Sequence, residues 1–128
     1  MDYSSEVRRR FSAPVRAGDI LPDAGPVFEG TAEDRSLNVW VRFQVRLEGE
    51  VIGQVRFRAY GCPHTLAAAE FVAGQLEGQS IGALSRIEPQ VVARELDLPR
   101  DKLGKLLRIE DALSECHKQA LVGEASRI

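Results

Sequence analysis

The residues of this chain best suited to chemistry lie together in the segment AYGCPHTL, residues 59–66. Cys62 is followed by Pro63 and then by His64. A cysteine thiolate can bind metal or attack sulfur, whereas a small residue in this place could simply fill a tight corner. These three interpretations of Cys62 stay open. His64 is either a second ligand or an exposed residue of a first helical turn. Ligation together with Cys62 is the less favoured of the two, because residues two apart do not share a helix face.

The position of Cys62 relative to the predicted helix would stabilise a thiolate, but does not decide between a functional thiol and a residue that fills a tight corner. Pro63 suits the first helical turn, where a missing N–H costs nothing. Free backbone N–H groups and the helix dipole at that end stabilise negative charge. We therefore expect the pKa of the Cys62 thiol to be lowered, against the opposing effect of burial.

The element before Cys62 is predicted to be an antiparallel hairpin over residues 37–60. Apolar residues alternate with polar ones on both sides of the turn Glu48-Gly49-Glu50, which is typical of a sheet with one buried face. Gly53 could mark a bulge in the second strand. The predicted buried positions are Leu37, Val39, Val41, Phe43, Val45, Leu47, Val51, Val55, Phe57 and Ala59.

After Cys62 the apolar period changes to that of helices, which are predicted over residues 63–122. The first helix ends at Gly78, short helical segments follow before Pro99, and a long helix closes the chain. Cys116 lies on the apolar stripe of that last helix, so we interpret it as core filler and the adjacent His117 as a surface residue. The helical apolar positions are Leu66, Ala69, Ala73, Leu76, Leu103, Leu106, Ile109, Leu113, Cys116 and Ala120.

Residues 1–30 are predicted to hold a short N-terminal helix and an irregular segment. The helix spans Tyr3 to Phe11 with Ser4 or Ser5 near its cap, and proline and glycine then punctuate residues 14–30. Strands followed by helices indicate an α+β fold, with helices on one face of an antiparallel sheet. We predict one domain over residues 1–128.

Composition excludes several classes of protein. The chain has 128 residues, a formal net charge of −2 and two distant cysteines, so neither a disulfide framework nor a CxxC motif is present. We expect a cytoplasmic protein, because no apolar segment resembles a secretory signal or a membrane span.

The outer face of the hairpin offers an alternative function of another class. Arginines alternate there with two aromatic residues, a pattern that could stack and clamp unpaired bases. The mildly acidic chain lacks ribonucleoprotein motifs, so a solvated sheet face is favoured and nucleic acid is not expected as a partner. The residues concerned are Asn38, Trp40, Arg42, Gln44, Arg46, Gln54, Arg56, Arg58 and Tyr60.

Three segments together resemble one family, the IscU/NifU-N type of iron–sulfur cluster assembly scaffold. They are YSSEVRRRFSAPVRAG, VRFRAYGCPHTLAAAEFVAGQLEGQS and LDLPRDKLGKLLRIEDAL. The resemblance spans almost the whole chain and implies the same α+β fold, with an antiparallel hairpin plus a further short strand. It also implies a protein of iron–sulfur cluster assembly rather than an enzyme.

The resemblance further implies which positions would hold a cluster, and most are substituted here. Ser36 falls at the place of the family's first cysteine and Asn38 at that of its aspartate. Gly104 replaces a histidine and Lys105 the third cysteine, so Cys62 alone is retained as a metal ligand. Soft thiolates select iron–sulfur clusters, which predicts a degenerate paralogue that does not hold a family-type cluster.

The expected cofactors and partners follow from that comparison. Cys62 could hold iron or a cluster with ligands from a second subunit or a small thiol, or zinc with His64; no cofactor is expected to be required for folding. It could instead accept sulfur from a cysteine desulfurase, or the protein could bind other assembly proteins and regulate them without metal. Lys105 and Arg108 would add positive charge beside Cys62 if the last helix begins there.

The loop that the family uses for chaperone binding is altered as well. Two of its central residues are charged here, which argues against recognition by an Hsp70-type chaperone. The residues of this partner loop are Leu98, Pro99, Arg100, Asp101 and Lys102.

Overall fold

The computed structural model describes residues 3–21 and 26–125. Within them a three-stranded antiparallel sheet in the order β1-β2-β3 is packed against helices, so the predicted α+β class with a hairpin and a further strand is confirmed. No helix in these residues is long and apolar enough to cross a membrane. The elements are α1 Ser5–Ser12, β1 Val27–Asp34, β2 Val39–Glu48, β3 Val51–Tyr60, α2 Pro63–Leu76, a 3-10 helix Ile81–Ser85, α3 Pro89–Glu95, a 3-10 turn Arg100–Lys102 and α4 Leu103–Ala125.

The predicted hairpin is formed by β2 and β3, with the expected face buried. Phe43 lies opposite Phe57, and their ring centroids are 6.2 Å apart. Both rings are fully buried, whereas Arg42 and Arg56 keep partly exposed side chains on the other face. The register predicted from the alternation is therefore confirmed.

The bulge that Gly53 was predicted to mark is present in β3, and it corrects the predicted burial at the start of that strand. Arg46 pairs with Gln54 but Leu47 pairs with Ile52, so Gly53 is an extra residue on β3. An extra residue shifts the alternation by one position. Ile52 is consequently fully buried and Val51 is 43% exposed, the reverse of the prediction.

The loop before β2 gives a second correction. Leu37 was predicted on the buried face but is 36% exposed. It lies before β2, in a turn where Asn38 has a left-handed backbone with φ of 56°. Strand alternation therefore starts at Val39, which is buried.

Strand β1 begins at Val27, inside the segment that the sequence predicts to be irregular. Helix α4 lies directly on this strand at Gly30. A Cβ atom added there would fall 2.7 Å from the backbone nitrogen of Cys116 and still closer to the carbonyl oxygen of Ala112. Glycine at position 30 thus permits the close approach of helix and sheet.

The last helix has the predicted apolar stripe. Leu106, Ile109 and Leu113 are buried, as are Cys116 and Ala120. The Cys116 thiol donates to the carbonyl oxygen of Phe43 at 3.4 Å, and burial raises its pKa to about 12. Its interpretation as core filler is confirmed.

The N-terminal part of the chain begins with helix α1 and then crosses to the outer edge of β3. Ser4 caps α1 by accepting from the Val7 backbone N–H at 3.2 Å. Further on, the Gly18 N–H donates to the Phe57 carbonyl at 2.8 Å, and the Phe57 N–H donates to the Arg16 carbonyl at 3.0 Å. Because β3 is an edge strand, these bonds satisfy backbone groups that would otherwise be open to pairing with another chain.

Candidate functional site

The junction of β3 and α2 places Cys62 at the mouth of a helix, as the sequence predicts. Cys62 is the N-cap residue of α2 and Pro63 occupies its first turn. The Thr65 N–H donates to the Cys62 carbonyl at 2.9 Å and closes that turn. Gly61 packs closely on this turn, since a Cβ there would lie 3.1 Å from the Thr65 hydroxyl oxygen.

Three polar groups surround the half-buried Cys62 sulfur. The Lys105 Nζ atom donates to Sγ at 3.4 Å. The Thr65 hydroxyl lies 3.7 Å from Sγ and His64 Nδ1 lies 3.8 Å from it. The sulfur therefore faces one cation, one hydroxyl and one imidazole at the end of α2.

The same contacts set the acidity of the Cys62 thiol. Burial raises its pKa, but several donors to sulfur outweigh that effect, and the net pKa is lowered from 9.0. The donors are the Thr65 N–H and hydroxyl, the His64 N–H and the Lys105 ammonium. Each favours the thiolate over the thiol, which is the direction expected from the sequence.

His64 is not the exposed residue that one interpretation predicted. It is only 3% exposed, and its ring meets Tyr3 edge to face with centroids 4.9 Å apart. Burial lowers its pKa, helped by the positive charge of Lys102, so the imidazole is neutral at physiological pH. A neutral imidazole can accept a proton or a metal; its ligation together with Cys62 stays a prediction.

The turn that carries Ser36 and Asn38 lies against the first turn of α4. Both residues are exposed, and the Ser36 hydroxyl donates to an Asp34 carboxylate oxygen at 2.6 Å. That hydrogen bond, with others, lowers the pKa of Asp34. Leu37 reaches to within 3.3 Å of the position that a Cβ on Gly104 would occupy.

The structure thus joins some of the residues that the family resemblance singled out and leaves others apart. Lys105 contacts Cys62 directly, and its neighbour Gly104 meets the 34–38 turn. Arg108, which could have added charge beside Cys62, is paired with Asp111 at 3.3 Å instead. One cation, not two, is therefore in contact with the sulfur.

The donor set around Cys62 does not fit an iron–sulfur cluster held within one chain. The described part of the chain contains no group of three or more His, Cys, Asp and Glu residues placed to hold a metal ion. Protein-bound clusters take several thiolates, and Cys116 is buried in the core. Lys105 brings an ammonium group, which repels cations, to the place next to the thiolate.

The partner loop forms a short exposed turn between α3 and α4. The Leu98 N–H donates to the Ala93 carbonyl at 2.9 Å, and the Lys102 N–H donates to Pro99 at 3.0 Å. Pro99, Arg100 and Asp101 are exposed. The charged side chains of Arg100 and Asp101 therefore face solvent.

On the outer sheet face the arginines are already paired with carboxylates. Asp19 accepts from Arg58 at 2.9 Å and also binds Arg42. Arg58 first and Arg42 second hold the pKa of Asp19 well below its usual range. Arg46 pairs with Glu48 at 2.8 Å, so much of the positive charge that suggested a nucleic-acid surface is offset within the chain.

Sequence reasoning missed two groups of residues. Thr65 was not considered as a partner of Cys62, although its place three residues into the helix is where an N-cap side chain meets the first turn. The second group is a network in which Arg16 binds Glu70 at 3.0 Å and Glu77 at 2.6 Å. No local pattern signals that network, because Arg16 lies more than fifty residues before both glutamates.

Comparison with known proteins agrees with the fold and with the family resemblance. Residues 2–120 match the family model described as the NifU-like N terminal domain. The iron–sulfur cluster assembly protein IscU of Plasmodium falciparum is 26% identical over 117 residues, covering 91% of this chain and 72% of that protein. The iron–sulfur cluster assembly scaffold protein IscU of Escherichia coli K12 is 26% identical over 114 residues, covering 88% and 89%.

Two solved structures share the fold. One is described as a scaffold for the SUF system of iron–sulfur cluster assembly from Fervidobacterium islandicum, with a TM-score of 0.70 and 17% identity, covering 90% of this chain and 96% of that one. The other is the N-terminal part of a NifU-like protein from Brucella abortus, with a TM-score of 0.68 and 17% identity, covering 91% and 92%.

Proposed function

This chain belongs to the NifU-like N-terminal domain family, and we propose that it acts in iron–sulfur cluster assembly by accepting sulfur on Cys62 rather than by holding a family-type cluster. Its curated relatives bear the names of assembly proteins and scaffolds, not of enzymes. This chain is thus proposed to act in the same process as its relatives, but to carry sulfur instead of a cluster.

The contact between Lys105 and Cys62 carries the proposal. An ammonium 3.4 Å from sulfur favours a thiolate and would equally favour the anionic persulfide formed from it. The same charge opposes a ferrous ion at that sulfur. Lys105, at the position where the family resemblance implies a cysteine ligand, thus favours sulfur chemistry at Cys62 and opposes metal binding there.

The transfer of sulfur to Cys62 needs no added oxidant, because one S–S bond replaces another. The Cys62 thiolate attacks the terminal sulfur of a persulfide on a donor cysteine. A new S–S bond forms at Cys62, the donor's S–S bond breaks, and the donor leaves as a thiolate. We expect a cysteine desulfurase to be the donor.

Transfer is tested by incubating the reduced protein with a cysteine desulfurase and free cysteine, then measuring intact mass. We expect the wild type to gain one sulfur atom on Cys62 and the Cys62→Ala variant to gain none. A Cys116→Ala variant is the matched control, because Cys116 is buried. This variant should still gain one sulfur atom on Cys62. Sulfur on Cys116, or none on either cysteine, would contradict the proposal.

Metal binding is tested by anaerobic reconstitution with iron and sulfide, followed by metal analysis and visible absorption. We expect a colourless protein with less than one cluster per chain. A stable brown cluster bound by one chain would contradict the proposal. Bound zinc with bonds of about 2.0–2.3 Å to Cys62 and His64 would instead support the metal-ligand interpretation.

Other features of the proposal rest on the sequence alone. The protein is proposed to be cytoplasmic, to form one domain over residues 1–128 and not to be an enzyme. An Hsp70-type chaperone is not expected as a partner, because Arg100 and Asp101 bring charge to the centre of the exposed partner loop.

A further inference from the structure

We propose that Cys62 and Lys105 form a reversible covalent sulfenamide crosslink when the protein meets a hydroperoxide. The inference does not depend on sulfur transfer, since it needs only the two side chains and the oxidant. It starts from one contact, in which the Lys105 nitrogen lies 3.4 Å from the Cys62 sulfur across 43 positions of sequence.

The geometry leaves Lys105 as the best-placed nucleophile for an oxidised Cys62. The sulfur is half-buried, so a small oxidant can reach it. Lys105 is on a long, flexible stem and can close the remaining gap to bonding distance. His64 lies farther away, at 3.8 Å, and its buried ring is packed against Tyr3.

A disulfide within the chain is the competing outcome, and the burial of Cys116 opposes it. Cys116 is fully buried under the sheet and lies eleven residues beyond Lys105 on the same helix, or roughly 16 Å along its axis at about 1.5 Å per residue. Disulfides require Cα atoms within about 7 Å. An oxidised Cys62 therefore finds an amine, not a thiol, as its neighbour.

The chemistry balances with hydrogen peroxide as the oxidant. The Cys62 thiolate attacks one peroxide oxygen, the O–O bond breaks, and sulfur is oxidised by two electrons to sulfenic acid while hydroxide leaves. That hydroxide takes a proton from the Lys105 ammonium to form water. The free amine then attacks sulfur; the S–N bond forms, the S–O bond breaks, and the departing hydroxide leaves as a second water with a nitrogen proton.

The crosslink is tested on the purified full chain, reduced without metal and then treated with hydrogen peroxide. We expect the intact mass to fall by two hydrogen atoms. Proteolysis should give one branched peptide that joins Cys62 to Lys105. Dithiothreitol should restore the original mass, because thiols cleave S–N bonds. The same treatment in denaturant should give no crosslink, since the contact is tertiary.

The chain has three lysines; Lys105 is the residue tested, and the other two provide matched controls. Lys105→Arg keeps the positive charge beside sulfur but removes the nucleophilic amine, so we expect complete loss of the crosslink and oxidation of Cys62 to sulfinic acid. Lys102→Arg and Lys118→Arg should crosslink like the wild type. Circular dichroism of each variant shows whether it is folded.

Two results would overturn the inference. One is sulfinic acid at Cys62 in the folded wild type with Lys105 unmodified. The other is a crosslink that survives Lys105→Arg and maps to another amine. Because no desulfurase is present in these reactions, either result leaves the sulfur-transfer proposal to be judged by its own experiment.

Discussion

Cys62 owes its chemical character to its neighbours rather than to its type. The chain's other cysteine, Cys116, has its pKa raised to about 12 by burial. At Cys62 burial acts in the same direction, but the Thr65 and His64 N–H groups and Lys105 lower the pKa overall. Two thiols in one small protein therefore differ in reactivity, because one faces donors at a helix end and the other faces the core.

That difference predicts selective alkylation. A lowered folded-state pKa means that the Cys62 thiolate is already populated below pH 9.0, its ordinary value, so iodoacetamide should modify Cys62 at neutral pH. The rate should rise with pH around a midpoint below the ordinary thiol pKa of 9.0. We expect Cys62 to react at least roughly a hundredfold faster than Cys116, because Cys116 is fully buried and its pKa is raised to about 12, as followed by peptide mass spectrometry.

Variants at Lys105 separate charge from packing in that experiment. Lys105→Glu should slow alkylation because it replaces an attractive charge by a repulsive one, while Lys105→Arg should change the rate little. If Cys62 of the folded protein is inert up to pH ~9, its side chain only fills a tight corner, and the prediction of a functional thiol is wrong.

At the scale of elements, the contact of α4 with β1 depends on one missing side chain. Helix and strand approach so closely at Gly30 that a Cβ atom would overlap the backbone of Ala112 and Cys116. The backbone of a helix cannot move aside as a flexible side chain can. This contact also fixes the helix whose first turn carries Lys105, so packing in the middle of α4 bears on the site at its N-terminal end.

Gly30→Ala is therefore expected to destabilise the fold by about 1–3 kcal/mol or more, the usual cost of overpacking. Urea unfolding followed by Trp40 fluorescence measures the change. Gly82→Ala is the control, because its Cβ would meet only the mobile Arg86 guanidinium at 3.4 Å; it should stay within about 0.5 kcal/mol of the wild type. Equal effects of the two changes would contradict the close packing.

At the scale of the whole molecule, the N-terminal segment and the sheet form one charge-balanced face. Arg42 and Arg58 share Asp19, a residue more than twenty positions earlier in the chain. Arg56 pairs with Glu77 at 3.2 Å, after the end of α2. Since nucleic-acid binding relies on cations that are free to meet phosphates, the folded chain presents a weaker surface for it than the strands alone suggest.

We accordingly expect no change in Trp40 fluorescence when a single-stranded oligonucleotide is added at physiological salt. Asp19→Asn removes the carboxylate partner of Arg58 and one of the two carboxylates paired with Arg42, the other being Glu29 at 3.6 Å. It is expected to permit weak binding at low salt only, because phosphate contacts are screened. Micromolar binding by the wild type at physiological salt, with a binding free energy weakened by ~1–3 kcal/mol in Trp40→Ala, would instead support the nucleic-acid alternative.

The sequence by itself determined the features that repeat at short range. Period-two apolar residues predicted the β2–β3 hairpin and its buried face, and the helical stripe predicted α4 with Cys116 in the core. Three quoted segments were enough to predict the family. Such patterns succeed because residues two apart share a face of a strand, and residues three or four apart share a face of a helix, whatever the rest of the chain does.

Only the tertiary structure decided what depends on distant parts of the chain. It exchanged Val51 for Ile52 in the core through the Gly53 bulge, and it placed Asp19 over the sheet arginines. It also brought the Lys105 ammonium to the Cys62 sulfur. The last two follow from packing and charge between segments separated along the chain, and no local period encodes such contacts.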